Sequence, residues 1–168
     1  KPSIAVDESG SIYLSSGDTV SSMDRNGRKK WERSFPFIPS EGEPEYGRVS
    51  VSVPVIHEDI IYLLVKGEAE TMSGKIDRLY ALDINDPENE LWRTVELSGL
   101  QGLPAVTYYG DVFFFAFGDP VHRNTTIFGY DRQGGSIEGW PLTISLGGIL
   151  ESMVIDANNN LYGSFGDG

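Results

Sequence analysis

The stretch Leu79–Trp92, "LYALDINDPENELW", sets the fold. An apolar run with Tyr and Leu ends on Asp83, a polar turn rich in Asn, Asp, Pro and Glu follows, and Leu91 and Trp92 resume the apolar character. Two other stretches have the same form: Met23–Trp31, "MDRNGRKKW", and Gly129–Trp140, "GYDRQGGSIEGW". In each an Asp closes an apolar strand and a turn leads to a Trp, giving the pairs Asp24 and Trp31, Asp83 and Trp92, and Asp131 and Trp140. The chain has 3 tryptophans and all of them fall in this slot, which chance placement would rarely produce.

Each of these stretches follows a hairpin. "PSIAVDESGSIYLSSGD" from Pro2, "PVIHEDIIYLLVKG" from Pro54, "PAVTYYGDVFFFAFGD" from Pro104 and "MVIDANNNLYGSFGD" from Met153 all pair an apolar strand, a short polar turn and a second apolar strand. The second strand carries an aromatic, Tyr13, Tyr62, Phe113 or Tyr162, at successive separations of 49, 51 and 49 residues. Ser9-Gly10, Asn26-Gly27 and Gly110-Asp111 supply turn residues that tolerate positive φ. A repeat unit therefore holds four strands, A to D, and in the first unit these are Ile4–Val6, Ile12–Leu14, Val20–Met23 and Lys30–Ser34. Four antiparallel strands every ~40–50 residues is the signature of a β-propeller blade. Non-alternating runs such as "DVFFFAF" fit strands buried on both faces by neighbouring blades. The predicted fold is all-β, a propeller of about three and a half blades in one region spanning 1–168, with units near 2–51, 52–102, 103–149 and 150–168. Long connections are predicted at 35–52, 67–78 and 118–126, and Pro141 is predicted to bend or end a central strand.

The hairpin, the "YALD" core, the turn and the Trp together resemble the quinoprotein (PQQ-like) β-propeller repeat. The resemblance covers nearly the whole chain. It implies that the tryptophans dock one blade on the next while the Asp and Gly residues hold the C–D turn. A Trp buries about 150–250 Å² and its indole N–H needs an acceptor, which a turn carbonyl of the neighbouring blade can supply. Enzymes of that family hold PQQ on the propeller axis with Trp, Arg, Glu, Asn and Asp around Ca²⁺, often near a vicinal Cys pair. This chain has no Cys, and no position matches those ligands. The closest reading is a non-enzymatic member. Rings of this family have about six to eight blades, so the chain is expected to be a piece of a larger propeller. Its start, "KPSIAVDESG", has neither an initiator Met nor an apolar signal core.

Composition narrows the chemistry. A net charge of −12 over 168 residues repels nucleic acid and anionic membranes. No run approaches the ~20 apolar residues of a membrane span. His57 and His122, the only 2 histidines, sit in loops far apart in sequence and read as polar loop residues. Asp24 with Asn26, and Asp156 with Asn158, have the alternate spacing that Ca²⁺ loops use, but hairpin turns select the same residues for backbone reasons. "NTT" at Asn124 fits the glycosylation sequon. Without a reactive constellation, the sequence predicts a non-catalytic binding or scaffold module outside the cytoplasm of a bacterium, with no cofactor beyond a Ca²⁺ option. A protein or carbohydrate partner would meet its loops. The leading recognition loop is 35–49, through Phe35, Phe37, Glu41, Glu43, Glu45 and Tyr46. The alternative is a fragment of a propeller enzyme, a quinoprotein oxidoreductase or one acting on polysaccharide, whose active site lies in blades outside this chain.

Overall fold

The computed structural model describes residues 2–36, 47–69, 75–95, 97, 99–117, 124–145 and 149–166. Among them there is no helix. The strands form four antiparallel sheets, grouped as two compact units, residues 1–97 and 98–168. In the first unit, β1 (Ser3–Val6), β2 (Ile12–Ser16), β3 (Thr19–Met23) and β4 (Lys29–Ser34) make a simple meander, the first sheet. The second sheet joins β5 (Gly47–Val51), β7 (Ile60–Ala69), β8 (Lys75–Asp83) and β9 (Glu90–Arg93), with β6 (Val55–His57) also on β7. In the second unit, β10 (Leu100–Val106), β11 (Val112–Phe117), β12 (Thr125–Tyr130) and β13 (Leu142–Ile144) form the third sheet, and β14 (Ile149–Ile155) and β15 (Leu161–Gly166) the fourth.

Three sequence expectations change. Gly47–Val51, placed in the 35–52 connection, is strand β5, because the first strand of the second sheet is interrupted rather than short. Pro54 lies in the gap between β5 and β6 and has no N–H for the ladder. Ser52 bridges this gap: its N–H donates to the Leu64 carbonyl at 2.8 Å and its Oγ accepts from the Leu64 N–H at 3.0 Å. The 67–78 connection also shortens, since β7 runs to Ala69 and β8 starts at Lys75, in register to Glu68 opposite Lys75. Pro141 does not interrupt a central strand. It follows a cis peptide after Trp140 and precedes β13, the outer strand of its sheet, where a missing donor costs no ladder bond.

One row of side chains recurs across the sheets. Ala5, Tyr13, Ser22 and Trp31 are successive cross-strand partners in the first sheet, and Val55, Tyr62, Ala81 and Trp92 in the second. In the third sheet Ala105, Phe113 and Gly129 are paired, and the Trp140 ring lies beside Gly129. The middle residue is always small because two rings close over it. With Ser22 or Ala81 between them the ring centroids are 6.0 Å apart, and with Gly129 they are 4.8 Å apart. A Cβ built on Gly129 would stand 2.7 Å from Phe113 and 3.0 Å from Trp140.

This row is also the docking face within each unit. In the first unit Ala5, Tyr13 and Trp31 pack with Ile61, Leu63 and Leu82 of the second sheet. The Trp31 indole N–H donates to the Ile84 carbonyl in the β8–β9 turn at 3.0 Å. In the second unit Ala105, Phe113 and Trp140 pack with Leu150, Met153 and Leu161 of the fourth sheet. There Trp140 borders an apolar groove of about 320 Å³ that also touches Leu142, Leu161 and Phe165.

Two outcomes are expected in urea denaturation. Gly129→Ala should cost about 1–3 kcal/mol, because the ring gap must open or a rotamer must distort. Trp31→Ala should cost about 3–5 kcal/mol. It should also exceed Trp140→Ala, which enlarges a groove that is already open.

Candidate functional site

The aspartates with Ca²⁺-loop spacing, Asp24 and Asp156, belong to a recurring turn. Five turns share one geometry, beginning at Asp7, Asp24, Thr107, Asp131 and Asp156. In each, the N–H of the fourth residue donates to the first carbonyl at 2.9–3.1 Å, and the first N–H donates to the fifth carbonyl at 2.8–3.1 Å. The side-chain oxygen of the first residue accepts the N–H of the fifth at 2.8–3.0 Å. The fourth residue has positive φ and is Gly10, Gly27, Gly110, Gly134 or Asn159. These are hairpin turns whose carboxylates replace missing backbone partners. Asp83 heads a longer version, its Oδ1 accepting the Asn85 N–H at 2.8 Å.

The second carboxylate oxygen has its own use in two copies. Tyr13 Oη donates to Asp7 Oδ2 at 2.9 Å, and Tyr162 Oη donates to Asp156 Oδ2 at 3.0 Å. In the third sheet both partners change together, to Thr107 and Phe113, so neither an unpaired carboxylate nor an unpaired phenol remains. Burial alone would raise the Asp7 carboxyl, but the bonds from Ser9, Ser11 and Tyr13 outweigh it and hold the group at about 2. Burial, then the Asp7 carboxylate, pushes the Tyr13 phenol up to about 12. The Asn160 side chain, followed by its backbone N–H, lowers the Asp156 carboxyl, and the Arg28 N–H lowers that of Asp24.

These contacts bear on Ca²⁺. A cation needs oxygen acceptors directed at it, whereas backbone N–H donors point at Asp24 Oδ1 and Asp156 Oδ1 from 2.8 to 2.9 Å. The Oδ1 atoms of the Asp24 and Asp156 turns are thus taken up by the chain's own N–H groups. Among the described residues no group of three or more His, Asp and Glu side chains could hold a metal. His57 closes β6 opposite Ile60 rather than sitting in the turn itself, and its Nε2 is buried without a partner. His122 lies outside the described residues. Asn124 accepts a hydrogen bond from Ser145 Oγ at 2.6 Å.

The feature with binding character is a cleft between the first and second sheets, with a volume of about 200 Å³. Arg33 reaches it from β4, Arg78 from β8 and Arg93 from β9, over a floor that includes Val49, Val65 and Tyr80. Phe35 stands edge-on to Tyr80, with centroids 5.1 Å apart. The Arg33 guanidinium lies 4.9 Å from the centre of the Phe35 ring, and those of Arg33 and Arg93 each lie 6.0 Å from that of Tyr80. Glu90 joins two of them: Oε2 is 3.3 Å from Arg33 and Oε1 is 3.5 Å from Arg93. Arg33 also donates to the Pro87 carbonyl, in the same β8–β9 turn that receives Trp31. Of the loop residues singled out from sequence, Phe35 is 3% exposed and built into the wall of this cleft. Phe37, Glu41, Glu43, Glu45 and Tyr46 lie outside the described residues. Arg78 and Arg93 were not singled out from the sequence. Four arginines, Arg33, Arg48, Arg78 and Arg93, fall on strands of this acidic chain, and no local pattern marks the three that meet.

No family profile matches the chain, and no curated protein matches it. Among solved structures it is similar to a protein of unknown function from Bacteroides caccae, with a TM-score of 0.56 at 13% identity. The match covers 95% of this chain and 50% of that one, so the chain spans about half the length of its structural neighbour. At this identity the likeness concerns the fold alone.

The hydrogen-bonded aspartates predict an acid response. A depressed carboxyl adds stability above its ordinary value of 3.8, and that stability is lost as pH falls toward about 2. Urea midpoints should therefore drop across this window. In Asp7→Asn the drop should be shallower, and an unchanged slope would remove Asp7 as a contributor.

Proposed function

We propose that the chain is a run of blades from a larger β-propeller of the quinoprotein-like kind, serving as a non-catalytic binding or scaffold module outside the cytoplasm. The observation that carries this reading is the polarity of sheet stacking. In each unit the aromatic–small–Trp row of the earlier sheet packs against the later sheet of that unit. Repetition with a constant sense is what a ring of blades requires. Two further apolar faces agree with it. On the far side of the first sheet Ile4 and Val6 are 62% and 61% exposed, and on the fourth sheet Val154 and Tyr162 are 62% and 53% exposed. Apolar sheet faces of this kind mark surfaces meant to be covered, and further blades would cover both. The groove beside Trp140 would then hold a third strand next to β15.

The binding reading is supported by what the conspicuous polar residues do. The five turn-forming Asp and Thr side chains are occupied by backbone N–H groups. The exposed loops at the sheet ends are left to meet a protein or carbohydrate partner. The non-enzymatic character rests on the repeat together with the lack of a reactive constellation in the sequence, and the location outside the cytoplasm on the resemblance.

Electron microscopy of the full-length protein should show a ring of radial blades around a channel. An open stack of sheets would overturn the propeller. Titration of that protein with PQQ and Ca²⁺ should give no bound-quinone spectrum, and a bound spectrum accompanied by dye-linked oxidation would replace the scaffold with an oxidoreductase.

A further inference from the structure

We propose that the cleft of Arg33, Arg78 and Arg93 binds the terminal oxyanion of a small acidic ligand: a carboxylate, a sulfate or a phosphate monoester. The proposal gives the binding reading above a ligand class, and rests on it only in treating the cleft as a binding site.

Charge is the first argument. The protein carries −12, yet three guanidiniums converge on one cleft whose described lining contains no carboxylate. Glu90 offsets one of them from the rim, through Arg33 and Arg93. Arg33 and Arg93 share the single Glu90 carboxylate, so these three groups alone keep a positive balance that an entering anion reduces.

Preorganisation is the second. A guanidinium recognises an oxyanion best when its plane is already set, because the fork then loses little freedom on binding. The Arg33 side chain is only 14% exposed, held by Glu90, by the Pro87 carbonyl and by the Phe35 ring. Arg93 leans on Tyr80 and Glu90 but keeps 49% of its side chain exposed. One guanidinium is thus fixed in the wall and another stands at the mouth. Arg78 and Tyr80 alternate along β8 onto the same face, which brings the third into the lining.

Size is the third. Sites for whole small molecules occupy roughly 300–1,000 Å³, and this cleft has about 200 Å³. It suits one charged group and the few atoms bearing it. The apolar floor of Val49 and Val65 excludes competing water beneath that group and strengthens the ion pairs.

The test is calorimetric titration of the folded protein with inorganic sulfate, inorganic phosphate, glucuronate and, as a neutral control, glucose. Saturable 1:1 binding of at least one anion is expected, with none for glucose. Whichever anion binds most tightly identifies the oxyanion. Affinity should fall at least about tenfold in ~0.5 M NaCl, and about tenfold or more in Arg78→Gln and in Arg93→Gln. Arg25→Gln, on an exposed turn, should bind as wild type. Amide NMR shifts in the unmodified protein provide a readout independent of variant folding, and should concentrate at Ser34, Phe35, Tyr80 and Arg93. No binding of any anion, binding indifferent to both cleft variants, or shifts centred elsewhere would each overturn the proposal. A flat titration beside a closed ring would remove the cleft alone, and saturable binding by an open particle would remove the ring alone.

Discussion

The structure depends on two aromatic rings closing over one small residue. In each complete sheet a ring on the second strand and a Trp near the fourth meet above Ser22, Ala81 or Gly129. In the first and third sheets this contact forms part of the face on which the next sheet of the unit packs. A single meander cannot bury both of its faces, so stability has to come from stacking. The Trp serves both scales, because its ring packs within its own sheet while the Trp31 N–H reaches the next sheet's turn.

The recurring turn serves this row. Its Asp or Thr takes up the N–H of the fifth residue, which a tight hairpin leaves without a ladder partner, and its left-handed fourth residue matches the twist of the flanking strands. With the turn geometry set, strand register is set, and with it the alignment of aromatic, small residue and Trp. Where the Asp also holds a phenol, as in Asp7 with Tyr13, turn and row are joined directly. Conspicuous carboxylates thus become architecture, and the cleft stands out as the place where three guanidiniums converge.

Much of the fold was legible in the chain because its signals are local and repeated. The hairpin aromatic, the Asp and the Trp of each unit lie within 18 to 30 residues of one another and recur along the sequence. The small residue two positions before each Asp was equally visible, at Ser22, Ala81 and Gly129, but its meaning appears only when the rings are seen over it. Strand β5 was hidden because the chain is broken at Ser52 to Pro54, and composition there resembles a loop.

The sequence by itself determined the all-β class, the repeat and the turn positions, since periodic apolar runs and turn residues act over short distances. Only tertiary structure decided that Phe35 is a buried wall rather than an exposed contact, that Trp31 donates to Ile84, and that Arg33, Arg78 and Arg93 share one cleft. Arg33 lies 45 and 60 positions from Arg78 and Arg93, which are on a different sheet, and Trp31 lies 53 from Ile84, in that sheet's β8–β9 turn. Their meeting follows from how one sheet's aromatic row seats on the next, a long-range packing choice that no local pattern encodes.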